Sequence, residues 1–491
     1  MIDWFSGLPA FVGALLVAAQ VVIYVFALGI IPRNRKPSTG MAWLILVLAV
    51  PFFGLIMFLF FGSTRVERGR HEKQREVNRQ IHAQTAAIAS LTESTPRLAY
   101  VSSVAALNRN LGALPGVSGN RAVFFEDYHE SIAAMAALVD TAERFVHVQF
   151  YITAWDDVTD PFFASLVRAT ERGVKVRLLF DHLGSRGIPV YKDLLKRLGE
   201  TTIEWHPMMP VMPLKGRWRR PDLRNHRKIL VVDGRAGFAG SQNLIEPGYD
   251  KPKNHQLGRE WVELTTRVTG PAVAELNAVF LTDWYSETDV ILEDTLDRLH
   301  NPADAAGGDV TVQVVPSGPG FATENNLRMF TTLLYSAQRR ISITSPYFVP
   351  DESLLYAVTT AAQRGIDIEL FVSEAADQFM VHHAQSSYYE ALLRAGVRIY
   401  LYPAPYVLHS KHFTIDDDVA VIGSSNMDLR SFALNYEVSL MMLGGDVVSR
   451  MRQVEDHYRS LCRELTREEW EGRSFGRRYI DTVMRLTSAL Q

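Results

Sequence analysis

One cysteine, Cys462, stands in a chain of 491 residues. No intrachain disulfide can form, and a lone thiol of this kind reads as an inert, mostly buried side chain. An excess of either charge is also missing, since 51 basic residues face 54 acidic ones. That balance argues against nucleic acid as a partner, because such proteins usually carry a basic footprint. Charge is absent altogether from residues 8–31 and 41–61. Each stretch is long enough to cross about 30 Å of hydrocarbon as a helix. Trp4 and Trp43 lie at their edges, where indoles prefer the membrane interface. Residues 1–7 hold no Lys or Arg, the first run is long and a second follows at once, unlike a cleaved signal peptide.

The expectation is therefore a pair of transmembrane helices over residues 1–63, in the cell (inner) membrane. The connector carries Arg33, Arg35 and Lys36, whereas Arg65, Arg68, Arg70, Lys73, Arg75 and Arg79 follow the second run. Two crossings put the amino terminus and the rest of the chain on one side, and the larger basic cluster makes that side cytoplasmic.

What the chain does have is a pattern written twice. His-x-Lys-x4-Asp-x6-Gly-Ser-x-Asn occurs as His226, Lys228, Asp233, Gly240, Ser241 and Asn243, and again as His409, Lys411, Asp416, Gly423, Ser424 and Asn426. The flanking segments HRKILVVDG (226–234) and HSKHFTIDD (409–417) are short apolar runs closed by turn residues, so both read as strands. Residues i and i+2 of a strand share a face, which points each histidine and its lysine the same way. A return strand (AGFAGS, VAVIGS) completes a hairpin and brings Gly-Ser-x-Asn beside the histidine.

These residue types suit displacement at a phosphodiester. Ser241, Asn243, Ser424 and Asn426 can hydrogen-bond nonbridging oxygens. Lys228 and Lys411 can meet the charge that grows in the transition state, with no metal or other cofactor required. One histidine can attack phosphorus while the other protonates the departing oxygen. Because one imidazole cannot serve both faces at once, the two halves should share a single site at a pseudo-twofold interface.

At this point the chain resembles the phospholipase D superfamily, over residues 120–491. The flanks RPDLRNHRKILVVDGRAGFAGSQN, TSPYFVPDE and NMDLRSFALNYE are similar to the bacterial cardiolipin synthase branch. The resemblance implies a membrane-bound phosphatidyltransferase: one phosphatidylglycerol gives its phosphatidyl group to a histidine, releasing glycerol, and a second accepts it. A hydrolytic phospholipase D would share the first step. His226 is the favoured nucleophile and His409 the acid, with Asp233 and Asp416 in the catalytic set. The resemblance also implies an acid downstream of each motif to orient the histidine. Glu437 fits in the second half; Glu260 and Glu263 compete in the first, with Glu263 favoured. Same-half pairing would set Glu263 on His226.

Two halves repeat one order of elements. TAERFVHVQFYI (141–152) matches SAQRRISITSPYF (336–348), and ATERGVKVRLLFDH (169–182) matches AAQRGIDIELFVS (361–373). Alternating strands and helices predict an α/β sandwich in each. The expected domains are an anchor (1–63), a helical linker (64–118), a first lobe (119–303) and a second (304–491), divided near 301–309. The segment 206–228, with Met208, Met209, Val211, Met212, Leu214 and Trp218 among Lys215, Arg217, Arg219, Arg220 and Arg224, is expected to dip into an anionic bilayer surface.

Overall fold

The computed structural model describes residues 10–33, 37–62, 72–77, 79, 99–112, 114–212, 217–218, 220–292, 307–375 and 378–486. Two compact units emerge, residues 1–68 and 69–491.

Among the described residues of the first unit, one helix is continuous and long enough to cross a bilayer: Ala10–Ile30, 21 residues, about 31 Å at 1.5 Å per residue. The expected second span is not one helix. It is broken into Pro37–Ala49, Pro51–Met57 and a π-turn, Phe58–Gly62. Pro51 lacks the amide that would continue the ladder, and its ring clashes with the preceding turn. The chain then doubles back so tightly that a Cβ on Gly54 would stand 2.7 Å from the Leu46 carbonyl oxygen and the Val47 Cα. Ile23, Ala27, Ile31, Val47 and Phe58 bury one another in this small unit. Where a pair of transmembrane helices is expected, the described residues form one long apolar helix and one broken apolar segment.

The second unit is built on a sixteen-stranded sheet. From one edge the first lobe contributes Glu204–Met208, Lys175–Asp181, Phe145–Phe150, Ile229–Val232, Ala236–Gly240, Thr265–Thr269 and Val117–Phe125. The second lobe then runs through the same elements backwards: Val310–Ser317, Asn435–Leu443, Val419–Gly423, His412–Ile415, Arg340–Thr344, Asp367–Ser373 and Arg398–Tyr402, with Arg463–Leu465 outside. A palindromic order is what a twofold axis through the middle requires. The middle is the antiparallel pair Val117–Phe125 and Val310–Ser317, which shifts register between Val117 and Asn120. The predicted two-lobed α/β architecture is observed.

Helices cover both faces, so the strands around the motifs are buried on both sides and read as continuous apolar runs rather than alternating ones, while the edge strand Glu204–Met208 is partly exposed. Ile229–Val232 and His412–Ile415 are buried throughout. Tyr128–Asp140 and Asp160–Glu171 cover one face of the first lobe, and Asn325–Ser336, Glu352–Gln363 and Phe379–Ala395 the matching face of the second. On the opposite face Ala272–Thr288 and Val447–Leu461 share a core that spans both lobes. The helix Ala99–Gly112, within the segment expected as linker, inserts Val101, Val104 and Ala105 into the second-lobe core.

Candidate active site

The motif hairpins are closed by their aspartates. Asp233 and Asp416 adopt positive φ (53° and 49°) at the tip, where Asp-Gly and its analogues fit a tight turn. The Asp233 carboxylate accepts from the amides of Glu143, Arg144 and Phe145 at 2.8–2.9 Å. Asp416 accepts from Gln338, Arg339 and Arg340 at 2.7–2.9 Å. Both sit at the far end of a four-residue strand from the lysine. Each clamps the turn to the neighbouring strand by satisfying three backbone amides, so the two aspartates expected in the catalytic set sit at the end of the hairpin away from the histidine.

The other end of each hairpin crosses into the opposite lobe. Arg224–Asn225 pairs in parallel with Asn435–Tyr436, and Trp261–Val262 with Val407–Leu408. The His226 amide donates to the Tyr436 carbonyl at 2.9 Å, and the His409 amide to that of Val262 at 2.8 Å. Each histidine is therefore held by the other half's backbone.

Its carboxylate comes from the other half too. His226 Nδ1 lies 3.0 and 3.1 Å from the Glu437 oxygens and 3.0 Å from the Ser424 carbonyl. His409 Nδ1 lies 2.6 Å from Glu263 Oε1. The expected same-half pairing is corrected: Glu437 serves His226 and Glu263 serves His409. Glu260, the competing acid, does not take this place. With Nδ1 engaged, Nε2 of His226 is the atom left for chemistry, while Nε2 of His409 lies 3.2 Å from Lys411 Nζ.

Lys228 Nζ donates to the His226 carbonyl at 2.7 Å, and Lys411 Nζ to the His409 carbonyl at 2.6 Å. Both lysines are 2% exposed and both histidines 7%, so the centre is enclosed, with two buried lysines set among the two buried glutamates. Burial, then Lys228, Lys411 and His409, hold His226 well below the ordinary imidazole range. Burial also lowers His409, against the pull of Glu263. Lys228 is depressed by burial and by the facing Lys411. Burial pushes Glu437 up to about 7. Burial would raise Glu263 likewise, but His409 and Lys411 outweigh it and leave that carboxyl below its usual value. The two acids are thus electrostatically unlike although they are placed alike.

The four expected substrate contacts divide. The Ser424 hydroxyl donates to Glu437 and receives the Val438 amide at 3.0 Å. Ser241 receives the Leu264 amide at 3.0 Å and helps hold Glu263 low. Asn243 accepts from the Ile152 amide at 3.2 Å and donates to the Tyr249 hydroxyl at 2.9 Å. These three are spent on protein partners behind the histidines, which revises their expected role. The Asn426 side-chain oxygen is buried with no hydrogen-bond partner among the described residues.

Sequence reasoning missed Tyr151 and Tyr347, whose rings stand edge-on to His226 and His409 at 4.8 and 6.3 Å. Each closes the matched segment ending FYI or PYF, and that shared tyrosine was the available signal. It also missed Arg227, 1% exposed, which braces the Glu437 strand through the Glu437 carbonyl at 3.0 Å and pairs with Asp283 at 2.7 Å. Ser410 holds the corresponding position in the second motif, so the repeat gave no sign of it. In the segment 206–228, Met208 and Met209 are buried at 0% and 2% exposure. Arg224 is also buried, on Asp181 at 3.2 Å, while Arg220 pairs with Asp222. Those residues cannot enter a bilayer; positions 213–216 and 219 lie outside the described residues.

Comparison with known proteins agrees with this geometry. The family model "Cardiolipin synthase, PLD-like domain" matches residues 135–284 and 330–458, and "Phospholipase D-nuclease N-terminal" matches 22–63. Cardiolipin synthase A of Serratia proteamaculans (strain 568) is 30% identical over 473 residues, covering 94% of this chain and 95% of that protein. Cardiolipin synthase A of Yersinia pseudotuberculosis serotype O:1b (strain IP 31758) is 31% identical over 472 residues, with the same coverage. The crystal structure of phosphatidylserine synthase from Haemophilus influenzae Rd KW20 shares the fold, with TM-score 0.57, 14% identity, and coverage of 79% of this chain and 97% of that one. Matched along both lobes and nearly from end to end, the chain belongs to the phospholipase-D-like cardiolipin synthase family.

Proposed function

We propose that the protein makes cardiolipin by exchanging one phosphodiester for another through a phosphohistidine. The observation that carries this reading is the pair of His–Lys units, each buried histidine braced by the other lobe's glutamate. His226 attacks phosphorus of a phosphatidylglycerol through Nε2, since burial and two neighbouring ammonium groups keep it neutral. The bond to the glycerol oxygen breaks, and His409 gives that oxygen a proton as glycerol leaves. His409 then takes a proton from the free hydroxyl of a second phosphatidylglycerol, whose oxygen displaces His226. The charged Glu263 at 2.6 Å suits His409 to this proton traffic. Lys228, Lys411 and Asn426 meet the nonbridging oxygens, and the incoming anion relieves the facing ammonium groups. Exchange between like diesters is nearly balanced in energy, so no nucleotide enters.

The anchor supports a cytoplasmic catalytic region by a route different from the two-span argument. If Ala10–Ile30 crosses once and the broken segment returns to the side it entered, then Arg33, Arg35, Lys36 and the basic residues after position 64 share one face. Residues 1–7 offer none, and the positive-inside tendency makes the basic face cytoplasmic.

The test is product identification with purified full-length protein and headgroup-labelled phosphatidylglycerol in defined bilayers. Cardiolipin with released glycerol is expected. Phosphatidic acid with glycerol would replace transfer by hydrolysis.

A further inference from the structure

The last described helix, Phe475–Arg485, is well started, with the Ser474 hydroxyl receiving the Arg477 amide; it sets Met484 against the second-lobe core but leaves a second apolar stripe outside. Its inward side carries Asp481, 3% exposed, held by His383 Nδ1 at 2.7 Å and Arg473 Nη1 at 2.6 Å. Its outward side carries Phe475, Tyr479 and the adjoining Leu486, exposed at 82%, 61% and 84%. At about 100° per residue these three fall within an arc of about 40°, with Asp481 on the far side. A helix of a soluble protein ordinarily turns that stripe inward, so this one is directed at something apolar outside the molecule.

Two more exposed apolar side chains, Phe379 and Met380, begin the neighbouring helix Phe379–Ala395. One turn later that helix supplies His383, the residue gripping Asp481. The residue before it, Gln378, donates to the Tyr347 hydroxyl at 3.0 Å, and the Tyr347 ring stands edge-on to His409. The apolar surface is therefore two contacts from His409.

We propose that this surface seats on an anionic lipid bilayer, its apolar stripe among the upper acyl chains and Arg478 and Arg485 on lipid phosphates. Its task is to bring lipid to the pocket beside Tyr347, and in that respect it rests on the lipid-substrate reading above. Charge selects the occupant. Arg478 and Arg485 are exposed on the flank of the stripe, so an isologous contact between two copies would bring like charges together. Lipid phosphates complement them, and interfacial helices of this composition settle about 5–10 Å into the headgroup boundary.

The test uses the full chain in vesicles of phosphatidylglycerol and phosphatidylethanolamine. In a Cys462→Ser background, Tyr479→Cys carries a fluorophore, with Glu171→Cys on the first lobe as the control. Nitroxides at shallow acyl positions should quench the Tyr479 probe more than deep ones do, and leave the control bright. Combined Phe475→Asp, Tyr479→Asp and Leu486→Asp should raise the apparent KM for vesicle phosphatidylglycerol about tenfold or more, since each large apolar side chain withdrawn from water is worth about that factor. The same variant should turn over micellar phosphatidylglycerol within about twofold of wild type, because exposed substitutions barely disturb a fold. A Tyr479 probe no better quenched than the control would overturn the proposal. So would a Tyr479→Cys disulfide between copies, with the triple variant becoming monomeric. Quenching does not depend on turnover: shallow quenching without cardiolipin formation would sink the lipid-transfer reading and leave the bilayer contact standing.

Discussion

His226 and His409 are alike in motif and unlike in surroundings. The Glu437 carboxyl beside His226 is pushed up to about 7 by burial, whereas Glu263 beside His409 lies below its ordinary value. On the proposed mechanism, that difference suits the two rings to different tasks. Replacing either histidine by alanine should cost about a thousandfold or more in turnover, since the pair acts as a unit; steady-state rates on matched bilayers check this. Acid-labile label trapped during turnover should lie on the peptide containing His226, and Glu437→Gln should weaken it more than Glu263→Gln. That order reverses what same-half pairing implies. The sign of the pH effect follows from Glu437. Below about 7 it takes up a proton and loses the charge that steadies the His226 ring, so wild-type kcat/KM should fall as pH drops through that region. Glu437→Gln has no such group to titrate, and its slower reaction should lack this step. Excess EDTA should leave the wild-type rate nearly intact, because lysines supply the positive charge; a requirement for added Mg²⁺ would count against this mechanism.

At the scale of elements, the motif is one hairpin with its chemistry at one end and its clamp at the other. Asp416→Ala leaves three part-buried amides without their acceptor, at a cost of about 1–3 kcal/mol for the group lost. A lower Tm with little change in kcat at permissive temperature is expected, and a thousandfold loss of activity in a stable variant would return the aspartate to the catalytic set. Gly240 and Gly423 answer to another constraint. A Cβ there would stand 2.5 Å from the Leu264 carbonyl oxygen and 2.3 Å from that of Val438. Those residues follow Glu263 and Glu437, so Gly240→Ala or Gly423→Ala must push the carboxylate-bearing strand away. Activity should fall well before the fold is lost, read as kcat against thermal unfolding.

Across the whole molecule, the palindromic sheet explains why two copies of one motif make one site. A twofold through Val117–Phe125 and Val310–Ser317 brings the histidine ends of both hairpins together and leaves the aspartate tips apart. A substrate between lobes meets one kit from each side, which suits in-line displacement. The anchor has its own test. With a single crossing, a reporter fused before residue 10 should label from outside the cell and one fused after residue 486 only from inside. Two full crossings would put both reporters on one side.

Much of this was legible in the chain. Repeated spacing placed His226, Lys228, His409 and Lys411 on strand faces, because side-chain direction along a strand has a period of two. Apolar runs and turn residues marked the hairpins, and repeated segments marked two α/β lobes. The acids Glu263 and Glu437 were found as types at the right distance along each half. What only the tertiary structure decided was partnership. Glu437 lies 211 residues from the histidine it orients and Glu263 lies 146 from its own, whereas each has a histidine much nearer in sequence. Which one it reaches depends on strands from different lobes pairing side by side, a non-local arrangement that no local pattern encodes. The same holds for the broken second apolar run, where composition measured length but Pro51 and the approach to Gly54 set the path. It holds as well for Asp233 and Asp416, whose place in the motif reflects the turn that presents the chemistry rather than the chemistry itself.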